Sequence, residues 1–283
     1  MMKPVQTSIV KNPRHGSDYA LHHTAQTGGG RRAVIAAIDT IGQSATGPMK
    51  KFISRFDDAL GKIIASEDLA SMDADVTDLI LRGNAELAPM NRDKRDIFGF
   101  CITVCIIRNR ECRLMQLGDC RAWLLEHQPG QNPAAKLLTR DQNSLAMTLE
   151  TEQEYTFLSN ELLELSRTLH GYWGKPDQEN AKNMLEGSKR TIELPERCCL
   201  FVSTDGIFLP LIRALLDLGN YKLTQEQFSL EPWLANFLDT GEYLIRPGQW
   251  QQLVPEMIHL AERYTMRKPR YRDDMAAVTA WIE

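Results

Sequence analysis

The chain has 283 residues, 43% hydrophobic and 25% charged, which is ordinary globular composition with ample apolar material for a core. Its net charge of −4, from 33 basic and 37 acidic residues, offers no basic field for nucleic acid. No stretch approaches the ~20 apolar residues of a membrane span, and Met1 to Val10 lacks the apolar core of a signal peptide, so a cytoplasmic protein away from membranes is expected.

The first apolar run with strand character, Ala33 to Ile38, stops at Asp39 and enters a loop rich in glycine, serine and threonine. The preceding Gly28-Gly-Gly-Arg-Arg32 lacks the spacing of a phosphate loop and precedes a strand, so it reads as a hairpin turn. Two helical patterns follow. Met49 to Ala65 places Phe52, Phe56, Leu60 and Ile63 at intervals of three and four, and Ala74 to Leu87 repeats the pattern with Val76, Leu79 and Ile80. Phe98 to Ile107, Cys112 to Leu117 and Ala122 to Leu125 then read as an antiparallel hairpin or meander, and Lys136 to Thr139 as a short strand.

Residues 145–190 are polar and helix-leaning, which suits a flap or insertion within a single domain spanning 1–283. Cys198 to Ser203 is a buried strand ending at Thr204-Asp205-Gly206. Helices are expected over Ile207 to Leu218 and Gln251 to Tyr264, and a closing strand over Met275 to Ile282. This mixed order suits two antiparallel sheets covered by helices and argues against a parallel βαβ sheet.

Six cysteines (Cys101, Cys105, Cys112, Cys120, Cys198 and Cys199) show no CxxC spacing and no paired histidines. They read as buried, reduced thiols packing as small hydrophobes, and a zinc site is not expected. His22 and His23 read as structural.

One arrangement recurs. An apolar strand ends on an aspartate beside a small residue or turn at Asp39, Asp119 and Asp205, and Asp273-Asp274 precedes the last strand. Such an aspartate is commonly a turn former or a helix N-cap. Carboxylates converging at strand ends would instead repel one another unless cations neutralised them, and oxygen-only ligands favour Mg²⁺ or Mn²⁺. Spacing alone leaves both readings open.

The local words are more specific. Gly118-Asp-Cys-Arg-Ala-Trp-Leu-Leu125 resembles the "GDSRAYLL" segment of the metal-dependent type 2C (PPM) serine/threonine protein phosphatases. Leu138-Thr-Arg-Asp-Gln142 is similar to their "LTxDH", Leu200 to Ile207 to their "LLxSDGL", and Arg272 to Thr279 to their closing "DNMTVVV". All four occur in the family's order. At the N-terminus, Arg14-His-Gly-Ser-Asp18 looks like the family's "R-x-x-x-E", and Ile38-Asp-Thr-Ile-Gly42 like its "ADGxGG".

The resemblance implies a four-layer α-β-β-α sandwich and hydrolysis of phosphoserine or phosphothreonine on proteins by a metal-activated water. Asp39 would bridge two Mg²⁺ or Mn²⁺ ions, with Asp205 and Asp273 completing one site. Asp18 and the Thr40 carbonyl would serve the other, and Asp119 a weak third ion. Arg14 would hold the phosphate with its bidentate fork. The short chain suits a divergent bacterial member. Thr40 stands in place of a glycine, Ile41 of a histidine, Leu209 of an aspartate and Ala276 of a hydroxyl residue. The changes at Thr40 and Leu209 leave open an alternative, a phosphatase-like module that binds phosphoproteins with weak or no turnover.

Overall fold

The apolar run at 33–38 becomes the middle of a long strand, β3 (Gly30–Ile41), buried on both faces. A strand covered on both sides reads as continuous apolar sequence, which is why it was legible. In the computed structural model, β3 pairs antiparallel with β2 (Tyr19–Thr27) and β4 (Gly99–Arg108). With β5 (Glu111–Leu117) and β9 (Arg190–Glu193) they form a sheet of order β2-β3-β4-β5-β9. The structure describes residues 6–11, 18–27, 30–41, 47–65, 69–91, 99–126, 132–152, 154–157, 161–218, 221–239, 249–269 and 273–282.

A second sheet has the order β1-β12-β10-β6-β7. Its strands are β1 (Gln6–Lys11), β6 (Arg121–Glu126), β7 (Ala134–Leu137), β10 (Cys198–Ser203) and β12 (Ala276–Ile282). Of the hairpin or meander expected over 98–125, the hairpin holds and the meander does not. The β4–β5 hairpin forms, but the chain then crosses to the other sheet, where β6 pairs with β10. The crossing occurs at Gly118, which takes φ +105°, a conformation only glycine adopts without strain. The strand expected at Lys136 to Thr139 lies two residues earlier, as β7.

Each strand sorts its alternate residues between two cores. Ala33, Ile35 and Ala37 meet Cys105, Leu124, Leu200, Val202 and Val278 between the sheets. Val34, Ala36 and Ile38 face α1 (Gly47–Ile63) and α2 (Leu69–Leu87), whose Phe52, Phe56, Leu60, Val76 and Ile80 form the apolar stripes. On the opposite face, α6 (Asp205–Leu218) and α9 (Leu253–Arg267) cover Trp123, Phe201 and Trp281. Two antiparallel sheets between helical layers make the expected α-β-β-α sandwich.

The 145–190 segment contributes α3 (Ser144–Glu152), β8 (Glu154–Thr156), α4 (Glu161–Arg167) and α5 (Gln178–Ser188). It is anchored at Trp173, buried against Phe52 and Phe56, with its indole N–H donating to the Ile80 carbonyl at 2.7 Å. Several elements had no counterpart in the sequence reading: the strands β1, β2, β8 and β9, β11 (Lys222–Thr224), which pairs with β8, and the helices α7 (Gln225–Ser229) and α8 (Glu231–Asp239). No helix among the described residues is long and apolar enough to cross a membrane.

Candidate metal centre

Strand register brings one rim of both sheets together. Asp39 pairs with Cys101, Ile102 with Leu117, and Ser203 with both Arg121 and Ala277. The ends of β3, β5 and β10 and the starts of β2, β6 and β12 therefore share an edge. Asp18 precedes β2, Asp39 lies near the end of β3, Asp119 sits in the β5–β6 crossing, Asp205 opens α6 and Asp273 leads into β12. Five expected ligand residues thus fall on this rim. Arg14, the sixth side chain singled out, lies outside the described residues.

Each carboxylate has a local reason for its place. Asp39 continues the odd-numbered residues of β3 that point between the sheets. Phe100, opposite Thr40, directs both its N–H and its C=O to Trp173, at 2.9 and 2.6 Å. Facing residues of an antiparallel pair either exchange hydrogen bonds or both turn away. Thr40 therefore turns its N–H and C=O from β4, and its N–H donates to Asp18 Oδ1 at 3.3 Å. Its carbonyl is aimed to the same side as Asp18. The threonine that replaces glycine lies inside β3, where a β-carbon is ordinary.

Asp119 is held by its neighbours. Gly118 N–H donates to Gln142 Oε1 at 2.9 Å, and the Gly118 carbonyl accepts the Gln142 N–H at 3.1 Å. Asn143 Nδ2 donates to Asp119 Oδ2 at 3.1 Å, while Asp119 Oδ1 is buried with no donor in regular hydrogen-bond geometry. Two residues on, Arg121 makes a bidentate contact with buried Asp141 at 3.0 and 2.9 Å. The 138–142 and 118–125 segments that resembled family words are thus a single braced unit. At the other strand pair, the Ala276 N–H donates to Thr204 Oγ1 at 3.1 Å, fixing β12 beside Asp205. A β-carbon on Gly206 would lie 1.8 Å from the Asp274 carbonyl oxygen, so only glycine lets the 273–274 segment approach.

The electrostatics follow from this crowding. Burial first, then the charges of Asp18, Asp205, Asp273 and Asp119, push Asp39 well above the usual carboxylate range. Asp205 rises likewise, by burial and then by Asp273 and Asp119. Burial pushes Asp18 up to about 6, and burial with the charge of Asp141 takes Asp119 to about 6. Asp39 and Asp205 nonetheless keep part of their surface open to the rim. Like charges crowded this way, with a buried carboxylate oxygen that no donor meets in regular hydrogen-bond geometry, fit a multivalent cation held by hard oxygen donors.

Leu209, by contrast, is 7% exposed and packs in the helix-side core with Ile207, Phe208 and Ile212, so α6 offers no further ligand there. His23 pairs with Asp57 of α1 at 2.7 Å, away from this rim. All six cysteines are buried and free. Two residues with a claim on the site had no sequence signal. Asn143 lies just past a recognised word, and Cys101 comes within 4.8 Å of Asp39 and Asp119 ligand atoms through strand register alone. Beside the loop opens a recess of about 350 Å³, lined by Gln116, Arg140 and Gln142 and, across it, by His170, Met184 and Arg190.

No protein-family profile matches the chain, and no curated protein matches it by sequence. Solved structures do match. A serine/threonine phosphatase of S. agalactiae superposes with a TM-score of 0.65 at 14% identity, covering 99% of this chain and 100% of that one. Stp1, a serine/threonine phosphatase of Staphylococcus aureus, gives 0.60 at 14% identity, over 99% and 96%. The catalytic domain of the phosphatase PstP, solved with two manganese ions, gives 0.61 at 16% identity, over 98% of each chain. Over nearly its whole length, the chain has the fold of bacterial serine/threonine phosphatases.

Proposed function

We propose that this chain is a type 2C metal-dependent phosphatase that hydrolyses phosphoserine and phosphothreonine on proteins. The observation that carries the reading is the convergence of Asp18, Asp39, Asp119, Asp205 and Asp273, from five separate elements, on one sheet edge. Asp39, central and facing the charges of the other four, is assigned to both of two Mg²⁺ or Mn²⁺ ions. Asp205 and Asp273 complete one site, Asp18 and the Thr40 carbonyl the other, and Asp119 serves a weaker third. Held here, such ions supply charge neutralisation for the phosphoryl group and a water acidified for in-line attack. The braced 118–121 and 141–143 segments keep Asp119 oriented, and Gly206 keeps Asp273 within reach of Asp205.

We read 145–190 as a flap within a single domain. The recess it walls is lined by Arg190 and by Arg140, which is ion-paired with Glu150. Six reduced thiols suit the cytoplasm. The departures do not favour the non-catalytic alternative, since Thr40 sits in extended strand and Leu209 fills core.

The test is phosphate release from phosphoserine and phosphothreonine peptides with and without Mn²⁺. Release that needs Mn²⁺ and stops with EDTA is expected, and a folded, metal-loaded protein that releases none would refute the reading. In the same assay Arg14→Ala should raise KM about tenfold or more while metal affinity stays within error, because loss of a charge-assisted fork costs on the order of 1.5–3 kcal/mol. Loss of metal binding in that variant, or unchanged kinetics, would remove Arg14 from the phosphate.

A further inference from the structure

Among the carboxylates lies a sulfur that the phosphatase reading leaves unused. Cys101 faces Asp39 directly across β3 and β4, and both side chains point between the sheets. One ligand atom from each of Asp39, Cys101 and Asp119 lies within 4.8 Å of the others. Cys101 is fully buried and Asp119 is 3% exposed. Asn143 donates to Asp119 Oδ2, Oδ1 is buried with no donor in regular hydrogen-bond geometry, and the Cys101 thiol acts on the same carboxylate as a hydrogen-bond donor that a metal would displace. A β-carbon on Gly118 would sit 2.4 Å from Cys101 Sγ, so it is the bare glycine that lets the Asp119 backbone close on this thiol.

We propose that Asp39, Cys101 and Asp119 form a mixed thiolate–carboxylate site for a borderline-soft divalent cation of the Zn²⁺ class. The proposal rests on the same carboxylate edge as the phosphatase reading. Sulfur ligands favour Zn²⁺, Co²⁺ and Cd²⁺ and are poor partners for Mg²⁺. Binding exchanges the thiol proton, released to solvent, for a metal–sulfur bond. With Zn–O and Zn–S bonds of about 2.0–2.3 Å, ligand atoms around a tetrahedral ion lie roughly 3.5 Å apart, so the three groups must draw in by about 1 Å. Three protein ligands then leave the fourth position open. Because the site takes Asp39, a Zn²⁺-class ion and the hard-ion pair exclude one another.

Co²⁺ reports the sulfur directly. The EDTA-treated full chain, without substrate and with a phosphine reductant, is titrated with Co²⁺ and read for a near-ultraviolet sulfur-to-cobalt charge-transfer band. A band that saturates at one equivalent and bleaches with Zn²⁺ is expected. Cys101→Ser should lose the band and at least about tenfold in Co²⁺ affinity, the scale on which even outer-shell partners act. Cys120→Ser, which removes the neighbouring buried thiol, should keep it. No band in the wild-type chain, or one that survives Cys101→Ser, would overturn the proposal. If Cys101→Ser does not fold, Asp119→Asn takes its place with every thiol intact, and a band unchanged there is equally contrary. The two readings fail separately. Mn²⁺-dependent hydrolysis without a cobalt band sinks this site alone, and a band without hydrolysis sinks only the phosphatase.

Discussion

Asp39→Asn should raise the melting temperature of the metal-free protein and abolish its stabilisation by Mn²⁺. Without metal, Asp39 crowds four other carboxylates in a largely buried edge. The scale is set by Asp18, raised from 3.8 to about 6 with 4% exposure, whose ionisation costs the fold on the order of 3 kcal/mol. Because these native values are raised, the native state binds more protons than the unfolded chain. The stability contributed by Asp18 and Asp119 is therefore full below about 3.8 and is lost as pH rises through about 6. The wild-type metal-free melting temperature should fall across that window, and Asp39→Asn should flatten the fall. Each kcal/mol recovered at pH 7 is worth about 2–4 °C. Mn²⁺ at about 100 times its Kd should add about 2.7 kcal/mol to the wild type and nothing to the variant. Activity should drop about 10³-fold, since a metal supplies several kcal/mol of charge stabilisation and about 1.4 kcal/mol is tenfold. A folded variant with an undiminished Mn²⁺ shift would remove Asp39 from the centre.

Arg121→Met should cost about 3–5 kcal/mol, the loss seen when one partner of a buried ion pair is removed. Arg121 is fully buried, donates to the Phe228 carbonyl at 2.6 Å, and lies 4.2 and 4.1 Å over the Phe208 and Phe228 rings. Methionine fills much of the volume but strands the Asp141 carboxylate at 5% exposure. Adding Asp141→Leu should recover part of the loss, because the orphaned charge is then gone. Urea unfolding of the single and double variants measures this directly. A cost under about 1 kcal/mol for the single variant would mean the pair does not brace the loop.

How much of this was legible depended on the kind of signal. Strands buried on both faces, such as Ala33 to Ile38 and Cys198 to Ser203, announce themselves as unbroken apolar runs. β2, with sequence YALHHTAQT, does not, because it lies at a sheet edge with His22, Thr24 and Gln26 exposed. The crossing at Gly118 was missed because neighbouring strands usually pair, and one glycine dihedral decides otherwise. Asp39, Asp119, Asp205 and Asp273 were visible as strand-end acids, whereas Asp18 entered only through a family word. Cys101 was invisible in principle. Cysteine spacing is read along the chain, while its neighbours Asp39 and Asp119 are set by cross-strand register and a loop closure.

Anomalous diffraction from crystals grown with Mn²⁺ addresses the metal centre most directly. Two manganese peaks about 3.5–4 Å apart, one on each side of the Asp39 carboxylate, are expected, with Asp205 and Asp273 on one and Asp18 on the other. Strong manganese peaks elsewhere with none at Asp39, or a rim free of manganese at saturating concentration, would contradict it.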